Sequence, residues 1–231
     1  MLRELISIFR SSDPLGEIGK HFVEMLSIAK ELALRAGAIV FERELSPEGL
    51  TWIYQQDVRV NKLERLIRKQ VITHLSVSGN RLDLPYCILL ISLVKDVERI
   101  GDYAKNLVEI REFFTGPLPE DELVSELKQI RKGVELAFEA LVDVRDRSDQ
   151  EKALSLIREG MALARRCDTL VTNVAQSSYD ARTATATVLA TRYYKRIGGH
   201  VLNILSSIVM PLHKVDYYDE DSIPEEFKTQ P

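Results

Sequence analysis

The sequence predicts an all-α protein made of two tandem three-helix bundles. Glycine and proline together are scarce, with 11 glycines and 8 prolines in 231 residues, which argues against the many turns of a β-rich fold. Hydrophobic residues recur at helical spacing through long segments separated by short breaks, and they make up 45% of the chain, enough for a large core. A sequence repeat then divides the chain into two similar halves. Each half therefore corresponds to one bundle.

The first half contains three predicted helices, each introduced by a helix-start signal. Asp13-Pro14 and Ser46-Pro47-Glu48 both place a capping side chain before a proline at the first helical position. The predicted helices span about 14–44, 46–75 and 84–114. We assign residues 14–115 to the first bundle.

The clearest break, Gly116-Pro117-Leu118-Pro119, lies at the midpoint of the chain. Three more helices are predicted beyond it: one at about 120–147, one that runs from a capping box at Ser148 to about 177, and one at about 182–212. We assign residues 119–212 to the second bundle. Residues 213–231 form an acidic C-terminal tail.

The repeat relates the third helix of each half. VKDVERIGDYAKNLVEI, from Val94, aligns without gaps with TRYYKRIGGHVLNILSS, from Thr191, at an offset of 97 residues. Both segments contain Arg-Ile-Gly. Asp57 in the second helix corresponds, more weakly, to Asp168 in the fifth. The two halves are therefore read as copies of one three-helix unit.

Composition excludes several classes of function. The net charge of −4 gives no reason to expect nucleic-acid binding. The longest apolar run, residues 84–94, is shorter than the ~18–20 residues that cross a bilayer, and the two cysteines suit a reducing cytoplasm. No nucleophile, phosphate-loop or zinc-protease motif is present, so we do not expect an enzyme.

Acidic residues on faces that should be apolar are the main candidates for a site. Asp57 continues the apolar stripe of the second helix, with Asn61 one turn later, and Glu98 and Asp102 lie one turn apart on the third helix. Neighbouring carboxylates repel unless a cation neutralises them. Two interpretations remain open: a bound metal ion, as in carboxylate bundles, or salt bridges with nearby lysine and arginine.

The segment DVERIGDYAKNLVEI resembles the third-helix motif of the PhoU family, and DVRVNKLERLI resembles its second-helix segment. The resemblance implies the tandem three-helix fold over about residues 14–212. It also implies a cytoplasmic, homodimeric regulator that contacts the ATPase subunit of a phosphate transporter and a sensor kinase, and represses phosphate uptake and phosphate-starvation genes. The resemblance further implies an iron or zinc site in the first bundle. Its ligands would be Glu98 and Asp102, with Asp57 and Asn61 opposite them.

Two other functions remain as alternatives. Proteins similar to PhoU accompany low-affinity or sodium-coupled phosphate permeases, so the chain could serve such a permease as an accessory subunit. A metal-dependent enzyme of the carboxylate-bundle type is the other alternative, but its usual Glu-x-x-His ligand pair is missing beside Glu98 and Asp102.

The second repeat departs from the family motif. Lys195 and Gly199 stand at the positions of Glu98 and Asp102, so both carboxylates are missing, and only Asp168 is left, with Thr172 one turn beyond it. We therefore expect no metal cluster in the second bundle. The Lys195 ammonium is predicted to take the place of a cation and pair with Asp168.

Overall fold

The structure, a computed structural model, describes residues 14–42, 46–77, 80–147 and 149–217 and contains six long helices. They are α1 (Pro14–Phe41), α2 (Pro47–Leu75), α3 (Leu84–Glu109), α4 (Glu122–Arg147), α5 (Gln150–Ala175) and α6 (Ala181–Val209). No strand occurs in these described ranges. The predicted all-α class is therefore confirmed.

Side-chain caps fix the start of several helices. The Ser46 hydroxyl accepts a hydrogen bond from the Gly49 N–H, with proline in the first turn of α2. The Asp149 carboxylate accepts from the Lys152 N–H at the start of α5, and Asp180 caps α6 in the same way. Each cap satisfies backbone donors that have no partner inside the helix.

The third helix ends earlier than the sequence predicts. Its α-helical part stops at Glu109, and a 3₁₀ turn follows at Ile110–Glu112. The Arg111 guanidinium donates hydrogen bonds to the carbonyls of Thr115 and Gly116. These bonds hold the chain as it turns toward the second half.

Each half of the chain packs its three helices against one another, and the two trios share one continuous apolar core. The main contact between the trios is made by α3 and α6. At this contact the buried Asp96 accepts a hydrogen bond from the Asn203 side-chain amide at 2.7 Å, and His200 Nδ1 lies 2.8 Å from the same oxygen. The two helices that carry the repeat therefore face each other.

A second contact joins α1 to α4 and α6. A Cβ on Gly37 would lie 2.7 Å from Tyr194 Oη and 2.8 Å from Arg131 Nε, so only glycine leaves room here. Arg131 donates hydrogen bonds to Glu42 on the α1 side and to Glu135 on its own helix. The arginine therefore ties the two halves together in a largely buried position.

The chain after α6 folds back onto that helix. Val215 is buried, and the Asp216 N–H donates a 3.1 Å hydrogen bond to the Ser206 hydroxyl. Asp216 has a φ of 76°, a conformation that is uncommon for residues other than glycine, asparagine and aspartate. The rest of the predicted acidic tail, from residue 218, lies outside the described residues.

Candidate functional site

The candidate site lies where α2 crosses α3. Asp57 on α2 is only 7% exposed because it continues the stripe of the fully buried Ile53 and Val60. Gly101 on α3 faces it, and a Cβ there would sit 4.0 Å from Asp57 Oδ1. The carboxylate is therefore held against α3 by the apolar packing around it.

Glu98 and Asp102 extend this acidic surface along α3. The Glu98 side chain is 12% exposed and accepts a hydrogen bond from Lys95 Nζ at 2.7 Å. Asp102 is 26% exposed and accepts from Arg99 Nη1 at 3.1 Å. We name the three carboxylates Asp57, Glu98 and Asp102 the acidic ladder.

Lys105 connects the ladder across the two helices. Its Nζ lies 3.3 Å from Asp57 Oδ2 on α2 and 4.0 Å from Asp102 Oδ1 on α3. Burial lowers the pKa of Lys105, but the charge and hydrogen bond of Asp57 outweigh that effect, and the pKa is raised above its ordinary value. The lysine therefore stays charged and neutralises part of the acidic ladder.

The pKa of Asp102 is shifted in the opposite sense to that of a paired carboxylate. Burial is the largest cause and raises the pKa of Asp102, and the charge of Glu98 raises it further. Together they outweigh Lys105 and Arg99, which lower it. Burial therefore penalises the ionised form of Asp102 although Lys105 and Arg99 lie beside it. A further cation close to Asp102 would favour its ionised form.

The predicted ligands are only partly brought together. Asp57, Glu98 and Asp102 lie on one surface, whereas no hydrogen bond links the half-buried Asn61 to them in the part of the chain described. Within the described ranges, no three His, Cys, Asp or Glu side chains are grouped closely enough to hold a metal ion. A metal would have to replace Lys105 between Asp57 and Asp102, so the metal site stays a prediction.

The second bundle shows the predicted lysine substitution. Lys195 Nζ lies 2.6 Å from both carboxylate oxygens of Asp168, and Arg192 Nη1 is 3.4 Å from Oδ1. The predicted pairing of Lys195 with Asp168 is confirmed. An ammonium group of the chain itself thus occupies the space beside the carboxylate.

The sequence reasoning missed the polar cluster between the bundles. It comprises Asp96, His200, Asn203 and Asp216, and burial together with the charge of Asp96 raises the pKa of Asp216 to about 6, against the lowering influence of His200. Asp96 could have been found, since it lies three residues after Leu93 and four before Ile100 on an apolar face.

The fold and the acidic ladder define an all-α protein of paired three-helix bundles with a carboxylate-bearing crossing in the first bundle. Comparison with known families finds a match to the PhoU domain over residues 22–110, which includes all of α2 and α3. The predicted resemblance to the PhoU family is thus confirmed, by a match that lies in the first half of the chain. No described helix has both the length and the apolar character needed to cross a membrane.

Solved structures extend the similarity in fold to both halves. The crystal structure of PhoU from Pseudomonas aeruginosa superimposes with a TM-score of 0.74 at 21% identity, covering 85% of this chain and 95% of that one. The phosphate transport system regulatory protein PhoU from Streptococcus pneumoniae superimposes with a TM-score of 0.73 at 17% identity, covering 84% of this chain and 92% of its own. A search of curated proteins finds no match.

Proposed function

We propose that this protein is a PhoU-like cytoplasmic regulator of phosphate transport and phosphate-starvation signalling, which acts by binding other proteins and not by catalysis. The observation that carries the proposal is the PhoU domain match over residues 22–110, in a chain whose fold matches PhoU structures in both halves. Binding to the transporter ATPase subunit or to the sensor kinase would restrain phosphate uptake when phosphate is abundant.

The exposed face of α2 is the surface that best suits such a partner. Six exposed side chains, each about one helical turn from the next, form this surface. We name them the α2 face: Tyr54, Val58, Lys62, Arg65, Lys69 and Ile72. Val58 is 48% exposed and Ile72 is 66% exposed, with the three basic residues between them. Apolar ends around a basic centre complement an amphipathic helix that carries acidic residues.

A binding experiment on the full chain tests the proposal. The purified protein is presented to the ATPase subunit of a phosphate transporter and to the cytoplasmic part of a sensor kinase, with and without phosphate. We expect saturable binding to at least one of them, and a loss of at least tenfold in affinity for Val58→Asp combined with Ile72→Asp, because the apolar anchors become charged.

Leu136→Asp is the matched control. Leu136 is 51% exposed on α4, in the other bundle, so its replacement adds one of the two negative charges of the double variant without altering the α2 face. Equal losses for both variants would contradict docking through α2. Failure of both partners to bind, with binding to a phosphate permease instead, would replace the proposed role by that of a permease accessory subunit.

Metal binding and self-association complete the proposal. Asp57, Glu98 and Asp102, with Asn61, would hold an iron or zinc ion in the first bundle only, and two copies of the chain would form a homodimer. Light scattering after gel filtration measures the mass of the protein in solution, and a mass of one chain at all concentrations would contradict the dimer.

A further inference from the structure

A cavity of about 480 Å³ opens in the second bundle. Its polar lining is mainly basic, in contrast to the acidic ladder of the first bundle. It lies between α5 and α6, and Val134 and Ala137 of α4 contribute apolar lining. Its volume is within the range of ligand pockets, about 300–1,000 Å³. No residue of the cavity belongs to the acidic ladder or to the α2 face.

Basic side chains dominate the polar lining of this cavity. Four of them line it: Arg165, Arg192, Lys195 and Arg196. Two carboxylates also line it, Asp168, which is already paired with Lys195, and Asp216, which lies near Asp96 and His200. The cavity lining therefore carries an excess of positive charge.

Two of the four cations are free to bind a ligand. Arg165 and Arg196 are exposed, and neither forms a salt bridge with any residue that the structure describes. Arg192 is 43% exposed and touches Asp168 with one nitrogen only, at 3.4 Å. A guanidinium group offers a fork of donors that matches the oxygens of a phosphate group.

The repeat accounts for part of the difference in charge between this cavity and the acidic ladder. Lys195 stands where the first bundle has Glu98, and Gly199 stands where it has Asp102, so two carboxylates are replaced by an ammonium group and by empty space. A Cβ built on Gly199 would meet nothing within 4 Å. The cavity therefore extends down to the α6 backbone beside the basic side chains.

We propose that this cavity binds a phosphate-type oxyanion, either free inorganic phosphate or the phosphate group of a small ester. The arginine and lysine side chains would hold the oxyanion, and the apolar lining from Val134, Ala137 and Leu202 would cover the organic part of an ester. The inference rests on the charges and shape of the cavity and is independent of the α2 face. Failure of either one leaves the other standing.

The test is a calorimetric titration of the full chain at constant ionic strength, with inorganic phosphate in one arm and ATP in the other. Two variants address the site: Arg165→Gln combined with Arg196→Gln removes the free cations, and Gly199→Leu fills the space. Arg158→Gln is the matched control, since Arg158 lies on α5 two turns before Arg165 and does not line the cavity.

We expect saturable binding at millimolar or lower concentration, weakened about tenfold or more by the double arginine variant and by Gly199→Leu, and unchanged by the control. Tighter binding of ATP identifies a phosphate ester, and equal or tighter binding of inorganic phosphate identifies the free ion. Absence of binding in both arms, or binding that neither site variant weakens, would overturn the proposal. Circular dichroism confirms that each variant keeps its helices.

Discussion

Replacing Asp216 by asparagine tests the electrostatics of the polar cluster between the bundles. Burial raises the pKa of this carboxyl to about 6 from its ordinary 3.8, and the charge of Asp96 contributes to the shift. Asparagine has nearly the same shape and tolerates the backbone φ of 76° found here. The backbone hydrogen bond from residue 216 to the Ser206 hydroxyl is unaffected. The substitution therefore removes the charge and little else.

The sign and size of the effect follow from the pKa. Because the folded protein holds the Asp216 proton more tightly than the unfolded chain, wild-type stability falls as pH rises from about 4 to about 6. A shift of about two pH units corresponds to about 3 kcal/mol, and partial solvent screening reduces this to about 1–2 kcal/mol. At pH 7, Asp216→Asn should therefore be about 1–2 kcal/mol more stable than the wild type, which corresponds to a Tm about 2–8 °C higher.

Urea denaturation of both proteins at a series of pH values measures the difference. The gain should be near zero at pH 4 and reach its full size by pH 7. Asp149→Asn is the control, because it removes one charge from an exposed helix cap and keeps the capping oxygen. A gain that is the same at every pH, a loss of stability at pH 7, or an equal pH-dependent gain in the control would refute the reasoning.

Three further predictions concern the acidic ladder and the helical glycines. Elemental analysis of the purified protein should find iron or zinc, and Glu98→Gln with Asp102→Asn should lose it; equal metal content in both proteins would contradict the site. The same double variant, stripped of metal, should be at least as stable as the stripped wild type in urea, because burial and the charge of Glu98 penalise the ionised Asp102. Gly199→Ala, with nothing within 4 Å of its Cβ, should raise stability by about 0.5–1 kcal/mol. Gly160→Ala should be at least about 1 kcal/mol less stable than Gly199→Ala, since its Cβ would lie 2.5 Å from Leu202 Cδ2. Equal effects of the two glycine substitutions in urea denaturation would show that the contact with Leu202 does not matter.

Helix positions were predictable because they depend on local signals. The prolines after Asp13 and Ser46, and the scarcity of turn formers, placed α1 and α2 within a few residues of their observed bounds. The end of α3 was not predictable in the same way. It depends on Arg111 reaching the carbonyls of Thr115 and Gly116, and the helical pattern itself continues past Glu109.

The buried carboxylate of the candidate site was predictable from the sequence, but the cation that pairs with it was not. Helical spacing placed Asp57 on the buried face, and the repeat supplied the register that paired Lys195 with Asp168. The cation that reaches Asp57 could not be read from the sequence, because Lys105 is 48 residues away and the geometry of two packed helices decides which side chain arrives.

The packing of α3 on α6 has a consequence for synthesis on the ribosome. Asp96 and its partner His200 are 104 residues apart, so at about 5–20 residues per second the first half waits about 5–20 s for the last helix. During that interval the side of α3 that will face α6 is exposed to solvent, and the Asp96 carboxylate lacks its contact with the His200 imidazole. A nascent chain that stalls before α6 therefore presents an incomplete surface to chaperones and proteases.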